Sequence, residues 1–299
     1  MKKILLLFSG GLDSLLAAVI LKEQGLKIIP VCFCSYFFNC KKSLNFIKQL
    51  KLKLKVIDIS KDHLKIVKKP KHGIGVGVNP CIDCHLLMLK KAKQIMKKEG
   101  CDFIATGEVL GQRPFSQSRQ SLELIEKRAG LRGLIIRPLS DKLLKETKFG
   151  NSNFYNISGK SRKKQLDLAK KFNIKEIPTP AGGCILTDNI FAVKFRKLLK
   201  RNKNISGNDI ELLKIGRIFF QNNYFVIVAR NYNECKELIK KRRNKDILLE
   251  PDNFSGPTVL IRKIKKSSQD EMINFGSNLI IKFSKKVNNN PVIKILPFQ

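Results

Sequence analysis

Short, almost wholly apolar runs recur along the first half of the chain, with amphipathic stretches between them. Residues 4–8, 27–33, 54–59, 102–106 and 134–137 read as strands, and residues 14–24, 41–50, 83–99 and 116–129 read as helices. Strands that are apolar on both faces and alternate with helices predict a parallel sheet covered on both sides. Past a polar stretch at 202–208 the pattern changes. Runs at 216–220 and 224–230 flank a Gln221-Asn222-Asn223 turn and read as a hairpin, and a helix at 234–242 and a strand at 258–264 follow. The expected organisation is an α/β domain with a parallel sheet over 1–190 and a smaller α+β domain over 205–299. No internal repeat is visible.

The first strand runs into Ser9-Gly10-Gly11-Leu12-Asp13-Ser14 and then into a helix. That order describes an anion cradle. Gly10 and Gly11 permit a tight turn with uncovered backbone N–H groups, Ser9 and Ser14 add hydroxyls, and the helix start points its positive end at the same place. A carboxylate inside a phosphate cradle repels its ligand unless a cation lies between them, so Asp13 implies Mg²⁺. The alternative is a plain strand-to-helix turn. There is no GxxxxGK[ST] pattern, which excludes a Walker loop.

Charge widens the picture. A net charge of +35 and few acids call for a polyanionic partner, RNA in the first place, although a lysine-rich coding bias is a competing source. The early apolar run is too short for an export signal, and no stretch is long enough to span a membrane, so a cytoplasmic protein without a membrane partner is expected.

Eight cysteines without an export signal argue for metal, cluster or catalytic use and against a disulfide framework. Cys32, Cys34, Cys40, Cys101 and Cys235 read as small buried hydrophobes. Cys81 and Cys84 stand at CxxC spacing at a helix start, where the helix potential is expected to favour thiolate. Cys184 follows in a Gly182-Gly183 turn. Three uses stay open. Cys81, Cys84 and Cys184 hold a 4Fe–4S cluster with one open iron; or Cys84 and Cys184 form a persulfide pair; or a structural zinc takes His72 or His85 as its fourth ligand.

Taken together, SGGxDS, Asn79-Pro80-Cys81-x-x-Cys84, and Thr106-Gly107-Glu108-Val109-Leu110-Gly111-Gln112 followed by Ser116-Gln117 resemble the ATP-dependent tRNA thiouridylases of the PP-loop class. The nearest likeness is to the 4-thiouridine synthase catalytic domain, which also carries an Arg-Pro-Leu, here Arg137-Pro138-Leu139. The resemblance implies an adenine nucleotide alpha hydrolase-like fold over about residues 1–190. It implies ATP phosphates on Ser9, Gly10, Gly11, Asp13 and Ser14, with Thr106 and Gly107 bordering the nucleotide. Cys84, Cys184 and Asp13 would be catalytic, tRNA the substrate, and sulfide or a cysteine desulfurase the sulfur donor. Cys84 with Cys184 also resembles the reactive pair of the wobble-base 2-thiouridylases, so the modified position stays open. The ferredoxin-like and THUMP region and the rhodanese extension usual in the 4-thiouridine family have no counterpart here.

In the tail, residues 224–231, 246–250 and 254–261 resemble a divergent NFACT-type RNA-binding module, with a docking or dimerisation lobe as the alternative. A non-enzymatic, nucleotide-switched RNA- or ribosome-binding factor would keep the cradle but have no use for three separated thiols. An amidating enzyme would want an ammonia-producing domain, which nothing here resembles.

Overall fold

The structure is a computed structural model that describes residues 1–144, 148–150, 153–179 and 183–298. Two compact units divide the chain at Met1–Thr187 and Asp188–Gln299.

The first unit runs β1 (Lys3–Leu7), α1 (Leu12–Glu23), β2 (Lys27–Cys34), α2 (Lys41–Phe46), β3 (Lys55–Asp58), α3 (Ser60–Lys68), α4 (Cys81–Lys98), β4 (Phe103–Thr106), α5 (Arg119–Ala129), β5 (Ile135–Ile136) and α6 (Lys163–Lys171). Its sheet is parallel, in the order β3-β2-β1-β4-β5. β1 is the central strand, and Ile4, Leu5 and Leu6 are fully buried, as a strand covered on both faces requires. One face packs Leu15, Leu16 and Ala169 against Ile4 and Leu6, and the other packs Leu89 and Ile125 against Leu5 and Ile104. The chain leaves β1 for β2 on one side and later reaches β4 on the other. The loops after Leu7 and Thr106 therefore emerge side by side, because these two residues are partners in register. That is the topological switch point where open α/β sheets bind ligands.

Two helices differ from their sequence reading. The stretch 41–50 forms α2 and then a tighter 3₁₀ turn at Ile47–Leu50, closed by Lys51 with φ +55°. α5 begins only at Arg119, because the Ser118 side chain caps it by accepting from the Ser121 N–H. Ser116 and Gln117 stay in the preceding loop, where the Gly111 N–H donates to the Gln117 carbonyl at 2.8 Å.

The second unit runs α7 (Asn189–Arg201), α8 (Gly207–Leu213), β6 (Arg217–Phe220), β7 (Tyr224–Val228), α9 (Tyr232–Lys241), β8 (Ile247–Pro251), β9 (Val259–Lys263), α10 (Gln269–Phe283) and β10 (Ile293–Ile295). Its sheet is antiparallel, in the order β10-β8-β9-β7-β6. β6 and β7 pair as the hairpin read from the sequence. Met272, Leu279 and Ile280 of α10 cover one sheet face through Val226, Leu249 and Ile261. Gly276 permits that approach, since a Cβ there would meet Ile261 and Leu249 side chains at 2.7 Å. α7, which lies almost entirely between the two expected domains, falls within this unit.

Candidate active site

The loop after β1 is built by close backbone approach. Gly10 has φ +74°, and a Cβ on it would lie 2.5 Å from the Ser43 nitrogen in α2. Gly107, which follows β4, would meet the Ser14 nitrogen at 2.5 Å, so the Thr106–Gly107 segment lies flush against the first turn of α1. Any larger residue at either position would push these walls apart. Within the loop the Ser14 hydroxyl donates to the Gly11 carbonyl at 2.9 Å, and the Ser9 and Ser14 hydroxyls stand 3.2 Å apart.

Asp13 sits in the first turn of α1. Its Oδ2 accepts from Gln112 Nε2 at 3.0 Å, while its Oδ1 is buried with no hydrogen-bond partner. A buried carboxylate oxygen without a donor is costly unless a further group meets it. The free oxygen fits a divalent cation, which Asp13 would hold and which would supply positive charge beside the loop.

Beside the loop lies a buried charge cluster that the sequence reading quoted only as motif letters. Glu108 Oε2 accepts from Arg137 Nε at 2.9 Å and from the Thr106 hydroxyl at 3.1 Å, and its Oε1 faces His85 Nδ1 at 2.9 Å. Arg137 also pairs with Glu126. Burial alone would raise the Glu108 carboxyl, but the Arg137 guanidinium and the His85 hydrogen bond hold it down to about 2. Arg137 Nη2 remains buried without a partner. The spacing of Glu108 and Arg137 in sequence gave no signal of this pairing; only the adjacency of β4 and β5 creates it.

The three thiols lie within electrostatic reach of one another. Cys81 opens α4 and Cys84 lies one turn along it, buried. The segment after the Gly-Gly turn is pinned over the α4 entry: Ile185 N–H donates to Phe37 O at 3.1 Å, and Val78 N–H donates to Leu186 O at 3.0 Å. The rest of that turn, Pro180, Ala181 and Gly182, lies outside the described residues. Cys184 is half-buried. The expectation that the helix start favours thiolate is corrected for Cys84. Burial pushes the Cys84 thiol well above its usual range, with Cys184, Cys81 and Asp83 adding to the effect. Burial likewise pushes Cys184 up to about 11, with Cys81 adding. Desolvation outweighs the half-charge of the helix end.

Among the described residues no group of three or more His, Cys, Asp or Glu side chains is arranged to hold a metal ion. The cluster and zinc readings of Cys81, Cys84 and Cys184 therefore gain no support from the described side chains. His72 Nδ1 is engaged with Asp83 at 2.6 Å and His85 with Glu108. Asp83 also accepts the Lys71 and His72 N–H groups, which ties down the glycine-rich loop ahead of Cys81.

Cys32 and Cys40, read from the sequence as separate buried hydrophobes, form a disulfide with Cα atoms 6.1 Å apart. Cys40 caps α2, so the bridge lies behind the backbone that Gly10 touches. Lys160, Arg162, Lys163 and Lys164 form a basic run in sequence that could hold tRNA phosphates or be a solvated helix face; Arg162 stands at the N-cap position of α6 and donates to the Pro178 carbonyl at 3.3 Å, while Lys160, Lys163 and Lys164 are exposed.

Known proteins resemble this chain in two places. Residues 1–146 match the family described as thiamine biosynthesis protein (ThiI), and residues 216–296 match the NFACT protein RNA binding domain. A probable tRNA sulfurtransferase of Thermococcus kodakarensis is 26% identical over 59% of this chain and 42% of its own length. A tRNA-specific 2-thiouridylase, MnmA 2 of Fusobacterium nucleatum, is 25% identical over 97% of this chain and 80% of its own. A solved 4-thiouridine synthetase in complex with RNA and bound ATP is 20% identical over 58% of this chain and 52% of its own, with a TM-score of 0.38. The chain thus spans less than half the length of the Thermococcus sulfurtransferase. The resemblance read from the motifs holds, with the ThiI family pattern in the first compact unit and the NFACT RNA-binding pattern in the second.

Proposed function

We propose that this chain is an ATP-dependent tRNA sulfurtransferase of the cytoplasm, which adenylates a uridine carbonyl oxygen and replaces it with sulfur, 4-thiouridine being the product. The observation that carries this reading is Asp13, with one oxygen held by Gln112 and the other buried without a partner, in a glycine-walled loop at the sheet's switch point. The ThiI match over the same residues supports it.

ATP phosphates would lie on the N–H groups of residues 9–14, with Ser9 and Ser14 as further donors and the α1 terminus as a fixed positive field. Mg²⁺ held by Asp13 would neutralise the pyrophosphate. The uridine oxygen attacks the α-phosphorus and the bond to pyrophosphate breaks. Sulfur then comes from the thiol pair. Cys184, the less buried thiol, would carry the persulfide delivered by the donor. Its outer sulfur attacks the activated carbon and AMP leaves. Cys84 then attacks the inner sulfur, which frees thiouridine and leaves a Cys84–Cys184 disulfide for an external two-electron reductant. No step needs iron.

A wobble-position 2-thiouridylase is the second reading, favoured by the 97% coverage of this chain by the Fusobacterium relative. One experiment serves both. With tRNA, ATP and a persulfide donor, the chain should release AMP and pyrophosphate, and Asp13→Ala should lower that rate on the order of 10²–10³-fold or more with the fold intact. Intact-nucleoside mass spectrometry then reads which thiouridine forms. ADP and phosphate as products would overturn adenylation.

A further inference from the structure

In the second unit a concavity of about 510 Å³ opens where the loop before β8 meets the end of β9. Arg243, Lys245, Lys263, Lys265 and Lys266 line it and are all exposed. Of its described lining residues only Asp246 is acidic, and that charge is fully engaged. Asp246 Oδ1 accepts from Arg262 Nε at 2.9 Å, and Oδ2 accepts from Arg262 Nη2 at 2.5 Å and from the Arg243 N–H at 2.8 Å. The Arg243 guanidinium is itself occupied, donating to Ser206 Oγ at 2.5 Å. Lys245, Lys263, Lys265 and Lys266 carry no ion pair among the described residues.

The walls are fixed although the lysines are exposed. The Ile264 and Lys265 N–H groups both donate to the Asn223 carbonyl, at 2.6 and 2.9 Å. Arg262 ties β9 to Asp209 at the start of α8 and to Asp246 in the loop before β8. Four mobile cations on a rigid concave frame, with the local acid silenced, concentrate positive potential at one spot.

We propose that this concavity is the principal phosphate-backbone site through which the second unit grips RNA. The inference rests on the reading of that unit as an RNA-binding module. A phosphodiester chain supplies closely spaced single negative charges, and the cluster meets them with separate ammonium groups on flexible stems. Such contacts set affinity and salt dependence and carry no base readout.

The test uses the full-length chain and unmodified tRNA transcript, with fluorescence anisotropy over a salt series. K245Q/K265Q/K266Q should weaken binding at least about tenfold at low salt and flatten the slope of log affinity against log salt by about two to three. A control, K282Q/K285Q/K286Q, neutralises another exposed basic group in the same unit, at and beyond the end of α10. It should change affinity less than twofold. Urea unfolding of both variants should match the parent, since these side chains are exposed. A loss from the control alone would overturn the concavity while leaving the RNA reading of the unit intact. No loss from either would overturn both. Equal losses would also overturn the proposal, because they describe a diffuse basic surface without a principal site.

Discussion

Each unit buries an arginine between two carboxylates, and the two arrangements end differently. In the second unit Arg262 reaches Asp246 through Nε and Nη2, and Asn208 and Asp209 through Nη1, and none of its nitrogens is left without a partner. In the first unit Arg137 reaches Glu108 and Glu126 but keeps a buried Nη2 unpaired, and Asp13 Oδ1 and Asp141 Oδ1 are unpaired as well. A saturated network holds a fold together. An unsaturated one, at the switch point of a parallel sheet, keeps hydrogen-bonding capacity for something that arrives later. Burial does not distinguish the two, since both arginines are almost fully buried, whereas the unpaired Nη2 of Arg137 does.

The largest expected effect comes from breaking the two networks in parallel. Arg262→Met leaves Asp209 and Asp246 buried without their cation, and should cost the second unit about 3–5 kcal/mol in urea unfolding. AMP formation by the folded fraction should not change. Arg137→Met should cost a similar amount, and it should also lower AMP formation, because the freed Glu108 stands next to the Thr106–Gly107 wall of the phosphate loop. If Arg262→Met impairs the first unit's turnover, or Arg137→Met spares it, the contrast is lost.

How much of this was legible in the chain depends on range. β1, the loop at 9–14 and the alternation of strands and helices follow local rules of periodicity and glycine geometry, and they stand where those rules put them. The glycine- and proline-rich loop at 70–80 also marked the start of the helix that carries Cys84, which begins at Cys81. What could not be read was long-range pairing. Nothing in the sequence sets Gln112 on Asp13 or Arg137 on Glu108, since each depends on which strand neighbours which. The acidity of Cys84 departs from the sequence expectation for a related reason. A helix end is visible in sequence, but the layers that cover Cys84 are not, and desolvation by those layers dominates.

A second, smaller effect tests another unpaired group of the first unit. His63 is buried, its Nδ1 meets Ser35 Oγ at 2.7 Å, and its Nε2 has no partner. Burial lowers it to about 4. The unfolded chain takes up this proton as pH falls through about 6.5, and the folded chain resists until about 4. Stability is therefore fully present above the unfolded value and is lost as pH falls toward the folded one, by about 3 kcal/mol in all. Glu108 begins to contribute a similar loss only below its unfolded value, about 4.3, and Asp141, whose carboxyl is pushed up by burial, contributes alike in parent and variant, so the difference between the two in urea unfolding between pH 6.5 and 4.5 reads the histidine. His63→Leu should flatten the pH dependence in that window. An unchanged slope would mean that the unpaired nitrogen finds water.

The smallest effect reads the same principle at the thiols without perturbing the fold. With its thiol pushed up to about 11, Cys184 is ionised to only about one part in a thousand at pH 8. Iodoacetamide labelling, followed by peptide mass spectrometry, should therefore rise about tenfold per pH unit between pH 8 and 10 at this residue. Cys84, more deeply covered, should label more slowly throughout. Adding tRNA with a non-hydrolysable ATP analogue sharpens the comparison. If the unpaired groups of the first unit are waiting for substrate, the loaded site should change the Cys184 profile, whereas tRNA alone, gripped through the second unit, should not. A thiol that labels at pH 7 as fast as an unfolded control would show that burial does not govern it, and the persulfide would then need no protection from the resting fold.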